Sequence, residues 1–175
     1  MTSPEKFEKW FAAPISEIEA SSADSAFIVL GISCSMFERF VKSRMKLEKD
    51  ELGIRQMTKE QKSAFFYKFA PQVLGMTDPT LFSNFWEMYR VGIAHFFMPQ
   101  VVDWNGKKWS HCISVEKGFA DLPEYFHDPY FGDVIRINPW RWTERVVNLW
   151  RSRPDLLDVL QAFPLAEVHT EFLET

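Results

Sequence analysis

The stretch Asp78-Pro79-Thr80-Leu81-Phe82-Ser83-Asn84-Phe85-Trp86-Glu87-Met88-Tyr89-Arg90-Val91-Gly92-Ile93-Ala94-His95-Phe96-Phe97 decides how the chain is read. Asp78 is an N-cap and Pro79 suits the first helical position, so a helix starts here. Pro99 cannot continue it, so the helix is predicted to end near Phe97. At about 100° per residue, with Arg90 at zero, Ser83, Glu87, Thr80, Asn84 and His95 fall between about 20° and 140°. Phe82, Phe85, Trp86, Tyr89, Ile93, Phe96 and Phe97 fall between about 220° and 340°. The rings share one arc and face a core. The other arc carries Arg, His, Glu, Asn and small hydroxyls but no Lys, which is not the make-up of an ordinary solvated face. Gly92 and Ala94 keep bulk low beside Arg90 and His95, leaving room for something to approach.

The neighbouring segments extend a helical frame. Asp24 to Glu48 reads as a long helix, apolar almost all round from Ala26 to Phe37 and amphipathic afterwards. Gly53 marks a break. Thr58 and Gln61 form a capping-box pattern that starts a helix to about Phe69, with Pro71 ending or kinking it. Asn138-Pro139 repeats the Asp78-Pro79 start, and the helix it opens passes through Trp142, Val146 and Trp150. Pro154-Asp155 restarts a short helix through Leu160, and the acidic segment from about Leu165 reads as a loose tail. Between these, Asn105-Gly106 separates Val101–Trp104 from the alternating Lys107–Val115, which predicts a hairpin with a type I′ turn. Gly118 to Asp133 reads as an irregular loop with a helical turn. The expected architecture is therefore all-α, a helical bundle with a small inserted β-hairpin, in a single domain over residues 1–175. Its helical core covers about 20–100, the hairpin about 100–115, and the C-terminal helices about 137–163.

Composition bounds the function. The 175 residues carry 20 Lys plus Arg against 24 Asp plus Glu, a net charge of −4, so a generally basic nucleic-acid coat is excluded and any RNA must meet a local cationic cleft. Aromatic residues make up 16%, with 17 Phe and 7 Trp, which suits a helical core built from few, bulky contacts. Cys34 and Cys112 form neither a disulfide framework nor a zinc set. The charged start, Met1 to Trp10, has no signal-peptide pattern, and the longest near-apolar run is too short to span a bilayer. A cytoplasmic protein without membrane contact is expected. No phosphate-binding glycine loop, dinucleotide fingerprint, serine-hydrolase elbow or zinc-protease motif is present, and no cofactor or metal is called for.

The string Tyr89-Arg90-Val91-Gly92-Ile93-Ala94-His95-Phe96-Phe97-Met98-Pro99, with four residues between Arg and His on a late helix, resembles the HEPN superfamily (higher eukaryotes and prokaryotes nucleotide-binding). The likeness covers mainly residues 20 to 100, and the string is similar to those of uncharacterised prokaryotic members. It implies a metal-independent endoribonuclease with a defence or toxin-type role, acting as a homodimer whose two motifs meet in one cleft, with RNA as substrate and an antitoxin or defence-system protein as partner. Cleavage by the RNA's own 2′-OH needs a proton acceptor and a cation on the phosphorane. His95 would transfer protons and Arg90 would bind phosphate, with Asn84 or Glu87 orienting either. Two positions depart from the family pattern: Val91 stands where a polar residue is common, and Phe97 stands where the toxin branch has Tyr. A non-catalytic dimerisation or nucleotide/RNA-binding module is the alternative. Lys107, Lys108 and Arg141, near Trp104, Trp109, Trp140 and Trp142, are candidate RNA contacts by stacking and phosphate binding.

Overall fold

Local signals set most helix starts in the computed structural model, which describes residues 1–21, 25–51, 57–96, 98–115 and 121–159. Thr58 caps α4 (Lys59–Leu74) in a reciprocal capping box with Gln61. Asp78 caps α5 (Pro79–Phe85) by accepting from the Thr80 and Leu81 amides at 2.8 and 3.0 Å. Asn138 does the same for α7 (Pro139–Ser152). The long α3 (Ala26–Glu51) matches the expected buried-then-amphipathic helix. A short 3₁₀ turn, Pro154–Asp158, follows α7. The expected break at Gly53, the end of the C-terminal helices at 160–163 and the acidic tail lie outside the described residues.

Two helical expectations change. Pro71 does not end α4, which runs on past Phe69 to Leu74 and stops at Gly75, whose φ of 72° allows the left-handed cap that returns N–H bonds to Gln72 and Pro71. Residues 3–21, outside the expected helical frame, also form helix: α1 (Ser3–Phe7), a π-helical turn (Glu8–Ala12) and α2 (Ala13–Ser21). Phe7 packs on Trp150, and Glu8 holds Arg151 through two bonds of 2.8 and 2.9 Å, so this segment sits on α7.

The all-α expectation is overturned: among the described residues 68% are helical and a four-stranded mixed sheet makes up 15%. The hairpin forms where Asn105-Gly106 places it, between β1 (Val102–Trp104) and β2 (Lys107–Ile113), with φ of 53° and 70° at the turn. It is not isolated. β3 (Glu124–Asp128), inside the expected loop, and β4 (Gly132–Ile137), which starts at the end of that loop, make a second hairpin, and β4 pairs in parallel with β2 to give the order β1-β2-β4-β3. A two-stranded hairpin is marginal by itself; sharing β2 and β4 gives both hairpins a partner.

The core joins these layers. Phe37 of α3 is fully enclosed and meets Phe82, Trp86 and Trp142 edge-on at centroid distances of 6.2, 5.8 and 5.3 Å. Ile135 and Ile137 of β4 and Trp109 of β2 join the same cluster from the sheet.

Candidate functional site

The helix from Pro79 onward is continuous to Phe96 but not regular. α5 passes into a π-helical turn (Trp86–Val91) and then α6 (Gly92–Phe96). The amide of Gly92 bonds back to the Glu87 carbonyl, a five-residue step that adds a residue to the turn and shifts the phase of everything beyond it. The uniform wheel therefore misplaces His95 relative to Asn84. Turns of this kind often lie at functional sites.

Arg90 comes from the π turn. Its guanidinium grips Glu38 of α3 through Nε at 3.0 Å and Nη2 at 2.8 Å, and both side chains are largely covered, at 24% and 22% exposed. Glu38 also binds Lys42 one turn on. Burial pushes the Glu38 carboxyl up, but the bonds and charges from Lys42 and Arg90 outweigh it and hold the group below its ordinary value. Nothing in the sequence pairs residues 52 positions apart, so Glu38 carries no local signal of this role.

His95 is exposed in the last turn of α6. Glu87 is exposed as well. Asn84 is not on a shared polar face: it is buried, and its amide donates to the Tyr125 hydroxyl of β3 at 3.0 Å. It braces the sheet against α5 and is engaged away from both Arg90 and Glu38. The room beside Gly92 is filled by the chain itself. A Cβ there would meet the Met98 carbonyl at 2.7 Å and the Gln100 amide at 2.9 Å, and that amide bonds to the Met88 carbonyl at 2.9 Å. Glycine is required for this return of the backbone.

Lys107 and Lys108 are exposed at the start of β2, where Lys107 lies 3.4 Å from Asp133 of β4. Arg141 is exposed on α7, beside a groove it shares with Trp140 and Glu144 against α2. The tryptophans near them divide. Trp142 and Trp109 are buried, whereas Trp104 is half-buried on the sheet and stacks face to face with Tyr125 at 5.4 Å. Cys34 is enclosed and burial pushes its thiol up to about 12, so it is a packing group. Among the described residues, no three of His, Cys, Asp and Glu converge as a metal would require, and no helix is long and apolar enough to cross a membrane. The chain matches no family model, no curated protein and no solved structure.

Proposed function

We propose that this protein binds RNA without cleaving it, the non-catalytic alternative to the ribonuclease implied by the Arg90/His95 string. The observation that carries this is the Arg90–Glu38 pair. A guanidinium meant for a phosphorane must be open to it, whereas Arg90 already has a carboxylate on two of its donors. A phosphate would have to displace Glu38 and leave that largely covered carboxylate with Lys42 as its remaining partner, an unfavourable exchange. RNA as the ligand is supported by the likeness of residues 89–99 to HEPN strings and by the exposed cations Lys107, Lys108 and Arg141.

The ribonuclease is the second reading, favoured by an exposed His95 just beyond a π turn. One experiment separates the two. Purified protein is incubated with mixed RNA in EDTA while binding is followed by filter retention at several salt concentrations. Intact RNA and retention that weakens as salt rises are expected. Fragments ending in 2′,3′-cyclic phosphate, lost in both His95→Ala and Arg90→Ala, would establish cleavage instead. Absence of both retention and cleavage would end the RNA reading.

A further inference from the structure

Glu38 is also the end wall of a cleft between α3 and α4, with a volume of about 730 Å³. Its two long walls come from single helix faces. Residues 38, 42, 45, 46 and 49 of α3 and residues 59, 62, 63, 66 and 67 of α4 each repeat at three- and four-residue steps. The walls are rich in one charge: among the described lining residues, Lys42, Lys46 and Lys49 of α3 and Lys59 and Lys62 of α4 stand against two carboxylates, Glu38 and Asp50. In a chain with a net charge of −4 this concentration is out of proportion. Lys42 is held by Glu38, and Lys46 donates to the Val159 carbonyl at 2.8 Å. The ammonium groups of Lys49, Lys59 and Lys62 have no hydrogen-bond or ion-pair partner among the described residues. Ammonium groups gathered around one concavity repel each other, and an anion between them relieves that repulsion.

The floor has a different chemistry. Phe66 and Trp86, which pack ring to ring at 5.1 Å, are almost closed off and form its base. Tyr67, Met45 and Met57 also line the cleft, and the methionines are flexible groups that adapt to a flat or irregular guest. Burial raises the Tyr67 phenol, and the charges of Glu87 and Glu38 raise it further, so it stays protonated and able to donate a hydrogen bond. An apolar, ring-lined base under a cationic rim, at a volume typical of small-molecule sites, suits one kind of guest.

We infer that the α3/α4 cleft binds a small organic phosphate bearing a flat ring, with the ring against Phe66, Tyr67 and Trp86 and the phosphate between Lys49 and Lys62. The inference does not depend on RNA binding, and the ligand is of mononucleotide size.

The test is calorimetric titration of the full chain with adenosine 5′-monophosphate, adenosine and inorganic phosphate, each separately. The monophosphate should bind about tenfold or more tighter than either fragment, because both halves of the cleft contribute. The double variant Lys49→Glu/Lys62→Glu should lose at least about tenfold in affinity. Lys49→Arg/Lys62→Arg, which keeps the charge, should retain binding and control for folding. Binding of the monophosphate no tighter than that of inorganic phosphate would overturn the ring assignment. Absence of monophosphate binding, or equal binding by the Glu double variant, would overturn the site. Filter retention of RNA by the same preparations tells the two proposals apart: retention without monophosphate binding removes this inference alone, and monophosphate binding without retention removes only the RNA reading.

Discussion

The two sides of the helical run from Pro79 to Phe96 follow different rules. On the ring side, Phe82, Phe85 and Trp86 end where their spacing points, inside one cluster with Phe37 and Trp142. On the polar side, four residues that share an arc scatter. Asn84 goes to the sheet, Arg90 to α3, and Glu87 and His95 to the surface. Burial of apolar surface is non-directional, so any partner ring satisfies it and periodicity alone reveals it. A polar group needs a specific partner at hydrogen-bond distance, and that partner is chosen by the fold.

The contrast can be broken from its strongest side first. Phe37→Ala removes a ring that touches three others in an enclosed site, and should destabilise by about 3–5 kcal/mol in urea unfolding. A loss under about 1 kcal/mol would mean the ring cluster is not the centre of the core.

Gly92→Ala comes next, since a methyl at 2.7 Å from a backbone carbonyl has no flexible side chain to push aside. A loss of about 1–3 kcal/mol is expected. Faster amide exchange at Gln100 should accompany it, because the Gln100–Met88 bond closes that approach.

Tyr89 belongs to both rules. Its ring packs on Phe85, while its hydroxyl accepts from the Cys112 amide at 3.0 Å and lies 2.7 Å from the Ile135 carbonyl, bridging β2 and β4. Tyr89→Phe keeps the ring and strips the hydroxyl, leaving buried backbone groups short of a partner, and should cost about 1–2 kcal/mol. The loss should show as weakened exchange protection in β2 and β4 and not in α3. Uniform weakening would sink the idea that this hydroxyl is what couples the sheet to the helices.

Smallest is the Arg90–Glu38 pair, where Glu38→Gln should cost about 1 kcal/mol or less near neutral pH. Its signature is pH dependence. A carboxyl held below its ordinary value of 4.5 stabilises the fold above that value and loses the contribution as pH falls through the lowered value. The variant should therefore approach the parent in stability below about pH 4. A gap that stays constant into acid would mean the pair contributes nothing through charge.

The legible parts of the fold are those governed by near neighbours. Asp78-Pro79, Asn138-Pro139, Thr58 with Gln61, and Asn105-Gly106 each act over a few residues, and each works as its chemistry requires. The second hairpin also left a local trace. Asp128 accepts from the Tyr130 and Phe131 amides, and Gly132 has a φ of 75°. Flanked by Tyr125-Phe126 and Val134-Ile135, that is a turn signal, but prolines and aromatics in the same segment masked it. No such trace exists for the parallel pairing of β2 with β4, whose partners are 24 residues apart, as in Ser110 with Val134. At the candidate site the residue types were legible and their company was not: Glu38, Tyr125 and the lysines of the α3/α4 cleft are brought in by packing.

By itself, then, the sequence determined where most helices begin, where the first hairpin turns and which arc of the 79–96 run is buried, because capping, φ preference and burial act locally or without direction. Only the tertiary structure decided that two hairpins merge into one sheet, that the space beside Gly92 is taken by the chain's own backbone, and that Arg90 belongs to Glu38. Those outcomes depend on which distant polar groups meet, and a linear pattern of residue types does not encode that.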